Sequence, residues 1–319
     1  MTSGGLAEMG KVKTRGLWLL TMGIGLFIVG ASPVLSDPLI IESDDQFDFA
    51  RSCMDSGDYS RAVGEFERFI HFFPENPEVP KARYLIGMCY LKDHRYETAR
   101  DIFSQIIRSD SITPLAGKAL FLTGESYFQE GVPNEAEYYF EQVLEEYPSP
   151  DLKNAALYRL GWTKMQANRW RDASEIFSRV EKVSPFYPSA RQLAEQSLRG
   201  ENLPLKSPTM AGALASIAPG LGHAYVYRYK DAIVAFLLNG LFTWAAVESF
   251  QQDHEVLGGI LSFLEIGWYT GNIYSAVNVA HKHNRKVQED FRGRMEDQLD
   301  LNILAAQEGQ VGLTLTFKF

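Results

Sequence analysis

The segment GDYSRAVGEFERFIHFFP, residues 57–74, sets apolar residues three and four apart and ends on a proline. That spacing places Ala62 and Phe66 one turn apart on one helix face. The pair returns as Ala99 and Phe103, as Ala136 and Phe140, and as Ala173 and Phe177, each copy 37 residues after the last. The stretch ahead of each pair keeps the same step: Gly87, Gly124 and Gly161 share the period, with Tyr84, Phe121 and Tyr158 three residues before them. Pro74, Pro148 and Pro185 close three units, and Ser111 stands in the second. Agreement at so many positions predicts an array of helix pairs, each burying its apolar face against its neighbours.

Within the third unit, PLAGKALFLTGESYFQE reads as a first amphipathic helix and NEAEYYFEQVLEEYP as a second. Pro133 suits the start of the second, because its missing amide hydrogen falls in the first turn, where no helical acceptor exists. Glycine inside a helix costs about 1 kcal/mol against alanine. Its recurrence predicts close backbone approach between paired helices, with the alanine of the second helix at the same contact. The phenylalanine four residues on then fills the space between hairpins. Ala50 stands in the first copy where the others have glycine, and residues 186–200 are expected to form a closing helix.

These residues resemble the tetratricopeptide repeat family over 44–185, with Leu160–Gly161, Ala173, Phe177 and Pro185 as the best-formed copy. The step is longer than that family's usual length of about 34. The resemblance implies a helical solenoid whose concave surface holds a peptide or protein segment. Lys81, Arg83, Lys118 and Arg159 are the candidates for meeting an acidic segment there. Long-period arrays of this kind also resemble those of bacterial envelope assembly and cell-division coordinators, which implies a venue in the envelope.

The pattern changes beyond ENLPLKSP, the hinge at 201–208. Residues 232–250 contain no Lys or Arg and only Glu248 as an acid. As a helix they span about 30 Å, the thickness of a bilayer core. A second apolar stretch, 256–280, carries Glu265. The pair predicts a membrane hairpin, the alternative being a greasy soluble hairpin against the array. Arg228 and Lys230 precede the first stretch and HKHNRK follows the second, while QQDHE between them has no Lys or Arg. The positive-inside tendency then puts both outer ends in the cytoplasm. Exported repeats would require an inward crossing by residues 210–226, which Pro219–Gly220 interrupts; a surface-lying segment is the alternative.

APGLGHAYVYRYKDA resembles the glycine-rich entrance of TM2-like membrane domains, over about 207–285, with Tyr227 where that family has glycine. The resemblance implies a membrane module of two or three helices. His223, Asn239, Glu265 and Asn272 are its polar candidates. Such groups supply helix–helix hydrogen bonds or, for Glu265, a charged partner or water path. Gly258, Gly259, Gly267 and Gly271 are expected to permit close helix packing. The partners implied are the lipid bilayer and helices of membrane proteins.

Lys11, Lys13 and Arg15 precede an apolar run from Leu17 to Ala31, so residues 1–36 read as a signal peptide or an uncleaved anchor. A net charge of −9 gives no basic footprint for nucleic acid. The two cysteines, Cys53 and Cys89, fall in apolar helical patterns and read as buried thiols, a single disulfide being the alternative. Phosphate-loop, nucleophile-elbow and zinc-helix motifs are missing, so no catalytic residue, metal or cofactor is assigned. The end, VGLTLTFKF, alternates apolar and polar residues as a strand does.

The expectation is thus an all-α solenoid over 44–200, a hinge at 201–208, a helical membrane module at 209–284, and a charged helix with a terminal strand at 285–319. The function expected is a membrane-tethered, non-enzymatic scaffold of the bacterial envelope, placed in the inner membrane with periplasmic repeats, the outer membrane being the alternative. The alternative is a transporter accessory or small-solute transport component using the polar residues of the module.

Overall fold

The computed structural model describes residues 41–307 apart from 110 and 148, with side chains through 297. Eight helices form four pairs: α1 (Ser43–Asp55) with α2 (Tyr59–Phe72), α3 (Val79–Lys92) with α4 (Tyr96–Ser109), α5 (Pro114–Glu130) with α6 (Pro133–Glu146), and α7 (Pro150–Gln166) with α8 (Trp170–Ser178). Helix α9 (Tyr187–Ser197) and a short 3-10 turn (Leu198–Asn202) complete the array. Local chemistry sets several helix starts. The Asp58 carboxylate accepts the Arg61 amide at the start of α2, the Thr113 hydroxyl accepts that of Ala116, and Pro114, Pro133 and Pro150 occupy first helical positions.

Inside the second, third and fourth pairs the glycine meets a ring rather than a backbone. A Cβ built on Gly87 would stand 2.4 Å from the Phe103 ring, one on Gly124 2.9 Å from Phe140, and one on Gly161 2.5 Å from Phe177. Phe66, Phe103, Phe140 and Phe177 are at most 1% exposed, and Ala62, Ala99, Ala136 and Ala173 are fully buried. Tyr84, Phe121 and Tyr158 pack on the same rings, with centroids 6.2, 5.4 and 5.8 Å away. The absent side chain makes room for a whole phenylalanine face, and the burial of that ring offsets the lost helix propensity.

A second periodic feature lies in the turns between paired helices. Gly57, His94, Gly131 and Asn168 all take positive φ, at 83°, 58°, 81° and 58°. Glycine adopts this freely, whereas a left-handed His or Asn costs about 1 kcal/mol.

First helices touch each other across repeats, α3 on α5 and α5 on α7, while the second helices make no comparable contact. Elements that approach more closely lie at the smaller radius, so the first helices line the inside of the curve.

Both cysteines are buried free thiols. Burial pushes the Cys89 thiol up to about 12. Thiolate is the reactive form, and a rise from 9.0 leaves about a thousandfold less of it at neutral pH. A Cys53→Ala protein is therefore expected to label with maleimide at Cys89 only as fast as the array opens. Fast labelling without denaturant would contradict this burial.

Beyond the array, α10 (Pro208–Ile217) and α11 (Leu221–Tyr225) are short, α12 (Tyr229–Gln251) is long and apolar, and α13 runs unbroken over Glu255–Gln307. The expected inward crossing over 210–226 is not a continuous helix. It breaks at Pro219–Gly220, and ten residues of α10 reach about 15 Å, half a bilayer core. Gly220 has φ 89°, and a Cβ there would meet the Ala232 carbonyl oxygen at 2.2 Å, so the break is held by close backbone approach. Tyr227, at the resembled family's glycine position, also takes positive φ, 65°.

The expected boundary at 284/285 disappears inside α13, which carries the array and the hairpin on one helix. Phe291 stacks edge-on against Trp170 at 5.3 Å, Met295 is buried in the same cluster, and Arg292 donates to the Asn168 side chain at 2.8 Å. Asn284 clamps the hinge: its side chain accepts from the Lys206 amide at 2.7 Å and donates to the Lys206 carbonyl at 2.8 Å. The chain therefore enters and leaves the hairpin at one end, beside the array.

Over the described residues the fold is all-α, where the expected class was helices plus a strand. Among the described residues there is no strand, and helix continues to Gln307. The strand sequence at 311–319 and the signal-like residues 1–36 lie outside the described residues.

Candidate functional site

The inner helices carry the candidate cations. Lys81 and Arg83 are exposed on α3, and Lys118 is exposed on α5. Lys81 reaches Glu78 at 2.6 Å and lies 5.2 Å above the Phe47 ring. Arg159 differs from its expectation as a ligand-face cation. Its side chain is 5% exposed, with Nε 2.8 Å from Glu125 Oε2 and Nη2 donating to Glu125 Oε1 at 2.9 Å. Because α5 and α7 touch, this position is closed to solvent, and the pair ties two repeats together. Gln129 also donates to Glu125 Oε1, at 2.8 Å.

Similar ties recur along the array. Arg100 on α4 meets Glu130 on α5 at 2.7 Å and lies 4.2 Å above the Tyr127 ring, which stacks on Tyr139. Glu137 on α6 receives both Lys164 and Arg169. Sequence reading missed these acids because their partners lie 27 to 34 positions away. That distance approaches one repeat, which is the signal that could have found them.

Tetratricopeptide repeat models match this region, one over 47–111 and 90–149 and another over 127–196. Residues 47–196, the region of the four helix pairs and α9, are thus similar to tetratricopeptide repeats. Solved structures similar to the chain include nearly identical repeats of a kinesin light chain from Podosopora anserina, at 14% identity, TM-score 0.43, and coverage of 51% of this chain and 90% of that one. A tetratricopeptide repeat protein from Parabacteroides merdae aligns at 12% identity, TM-score 0.40, and coverage of 75% and 98%. MamA from Desulfovibrio magneticus aligns at 19% identity, TM-score 0.37, and coverage of 44% and 73%. No curated protein matches the chain. The repeat array gives this chain a helix-lined surface for a protein or peptide.

The hairpin following the repeats has the inverse surface. Tyr229–Gln251 has a mean hydropathy of 1.6 over its best window, yet only 17% of that window is buried. Ile233, Phe236, Leu241 and Trp244 on α12, and Val256, Ile260, Phe263 and Ile266 on α13, are all more than half exposed. A soluble core helix buries such residues, and a monomer rarely shows so continuous an apolar surface. Trp244 faces outward, whereas Trp268, half exposed, stacks on Phe242 across the hairpin at 6.2 Å.

The polar candidates separate into two groups. Asn239 donates to the Ala235 carbonyl of its own helix at 2.6 Å, and Glu265 accepts a long 3.5 Å bond from Thr243 across the hairpin. His223 and Asn272, by contrast, line one cleft. Of the four glycines expected at close contacts, only Gly258 is approached, by the Phe250 ring; Gly259, Gly267 and Gly271 face open space. Among the described residues no group of three His, Cys, Asp or Glu side chains could hold a metal.

Proposed function

We propose that this protein is a membrane-attached, non-catalytic scaffold of the bacterial envelope, whose tetratricopeptide repeats grip an acidic protein segment beside a bilayer occupied by the α12–α13 hairpin. The observation that carries the reading is the shared helix: α13 presents exposed apolar residues to one side of Ala280 and packs on the array with Phe291 and Met295 on the other. Because Lys206 is clamped to Asn284, the array and both ends of the hairpin belong on the same side of the membrane. This replaces the three-crossing topology, in which the ends lay opposite the repeats. The export pattern of residues 11–36 makes that side the periplasmic face of the inner membrane. The charge rule pulls Arg228, Lys230 and 281–286 the other way, but it acts on short loops and large domains translocate largely regardless of it.

Reporter fusions at 205 and 300 are expected to read one compartment and a fusion at 253 the other. Opposite readings at 205 and 300 would overturn the same-side geometry, and cytoplasmic readings at both would overturn the periplasmic assignment. For binding, the full chain in detergent is expected to enrich acidic sequences from a random peptide library. Enrichment should be lost on joint reversal of Lys81, Arg83 and Lys118 to Glu. Selection indifferent to these reversals would remove the charge-matching part of the reading.

A further inference from the structure

Between the two arms of the hairpin lies a cleft of about 800 Å³, open along one side, where Phe263 and Trp268 are more than half exposed. Ligand sites commonly hold about 300–1,000 Å³. One wall is apolar, with Val234, Leu238, Phe263 and Trp268, while His223, Asp231, Asn272 and Ser275 gather at the end nearest the array. Asn272 is 7% exposed, and neither atom of its amide has a partner. His223 is 4% exposed; its Nε2 lies 3.1 Å from Ser275 Oγ, and its Nδ1 has no partner. A buried polar group without a partner costs about 1–3 kcal/mol, so three such atoms around one cleft point to a ligand that meets them. Gly267 and Gly271 line the same cleft, and a Cβ on either would touch nothing within 4 Å. Their contribution is volume.

The cleft is polarised along the hairpin. Its polar end lies about two turns from the basic run that begins at His281, beside Arg228 and Lys230, and its apolar wall continues toward the loop at 252–254. A partner helix would meet the Asn272 amide only through a polar side chain placed at that one level, and an ordinary apolar span leaves it unmet. An amphiphile has the matching gradient: acyl chain against Phe263 and Trp268, ester and phosphate oxygens at Asn272, His223 and the basic border.

We propose that this cleft is a binding site for one membrane phospholipid. The proposal rests on the reading of the hairpin as membrane-inserted. Its test uses the full chain in bilayer discs of phosphatidylethanolamine and phosphatidylglycerol, with p-benzoylphenylalanine in place of Phe263 in one sample and of Phe236, on the outer face of α12, in another. Irradiation is expected to give a phospholipid adduct at both positions. Gly271→Leu, which fills the cleft, and Asn272→Leu, which removes its polar anchor, should each lower the adduct at 263 about tenfold, the effect of one decade in affinity. The adduct at 236 should stay unchanged, showing that insertion survives. An adduct at 263 indifferent to both variants, or one formed with protein, overturns the lipid site and leaves the membrane reading standing. Absence of lipid adducts at both positions overturns the two together.

Discussion

Replacing Arg159 with methionine is expected to lower the stability of the array by about 3–5 kcal/mol, the cost of breaking a buried ion pair from one side. The Glu125 side chain is 1% exposed and that of Arg159 is 5% exposed, so water cannot solvate the carboxylate that remains. Only the Gln129 amide stays in hydrogen-bond reach of Glu125 Oε1. The double change Glu125→Leu with Arg159→Met should recover most of the loss, because two apolar side chains of similar size carry no desolvation penalty. Hydrogen exchange of the full chain measures both. Amides of α5 and α7 should open much more readily in the single variant and return toward normal in the double. A loss below about 1 kcal/mol in the single variant, the value of an exposed pair, would mean that the pair is solvated.

Trp170→Ala should cost a similar amount, about 3–5 kcal/mol for a buried indole, with a different reach. Trp170 is 6% exposed, lies edge-on to Phe291, and contacts Gly200 so closely that a Cβ there would stand 2.3 Å from the indole. Its removal takes away the surface on which α13 seats. Faster exchange is therefore expected in residues 285–297 as well as in α8, while α1 to α4 stay protected, since each repeat depends mainly on its neighbours. Phe291→Ala should release 285–297 with a smaller loss in α8. Unchanged protection of 285–297 in both variants would show that the helix does not depend on this seat.

The repeats were legible because Ala, Phe and Gly recur at fixed positions, and each has a packing duty that few other residues can fill. The left-handed turns at 57, 94, 131 and 168 escaped notice because only two of them are glycine. Arg159 was misread because a charge in an amphipathic helix looks solvated until the neighbouring repeat supplies Glu125. The end of the hydrophobic pattern at HKHNRK suggested a new element, yet polar residues continue a helix as well as apolar ones do. What binds α13 to the array is the Phe291–Met295 pair, one turn apart, meeting a tryptophan more than a hundred positions earlier. The clamp between Lys206 and Asn284 spans 78 positions, too far apart for any local pattern to reveal it, and it carries the same-side topology proposed above. Asn272 and His223 were visible as polar residues in an apolar region, but their convergence on one cleft depends on the break at Gly220.

Helix α13 has a mechanical consequence. A flexible tether of forty residues would let its cargo wander over about 35 Å, whereas the same length of helix from Val256 to Met295 is a strut of about 60 Å. In the membrane-attached scaffold proposed above, whatever the repeats hold would be kept at a set height and heading, and a pull on that cargo would reach the bilayer as torque on the hairpin.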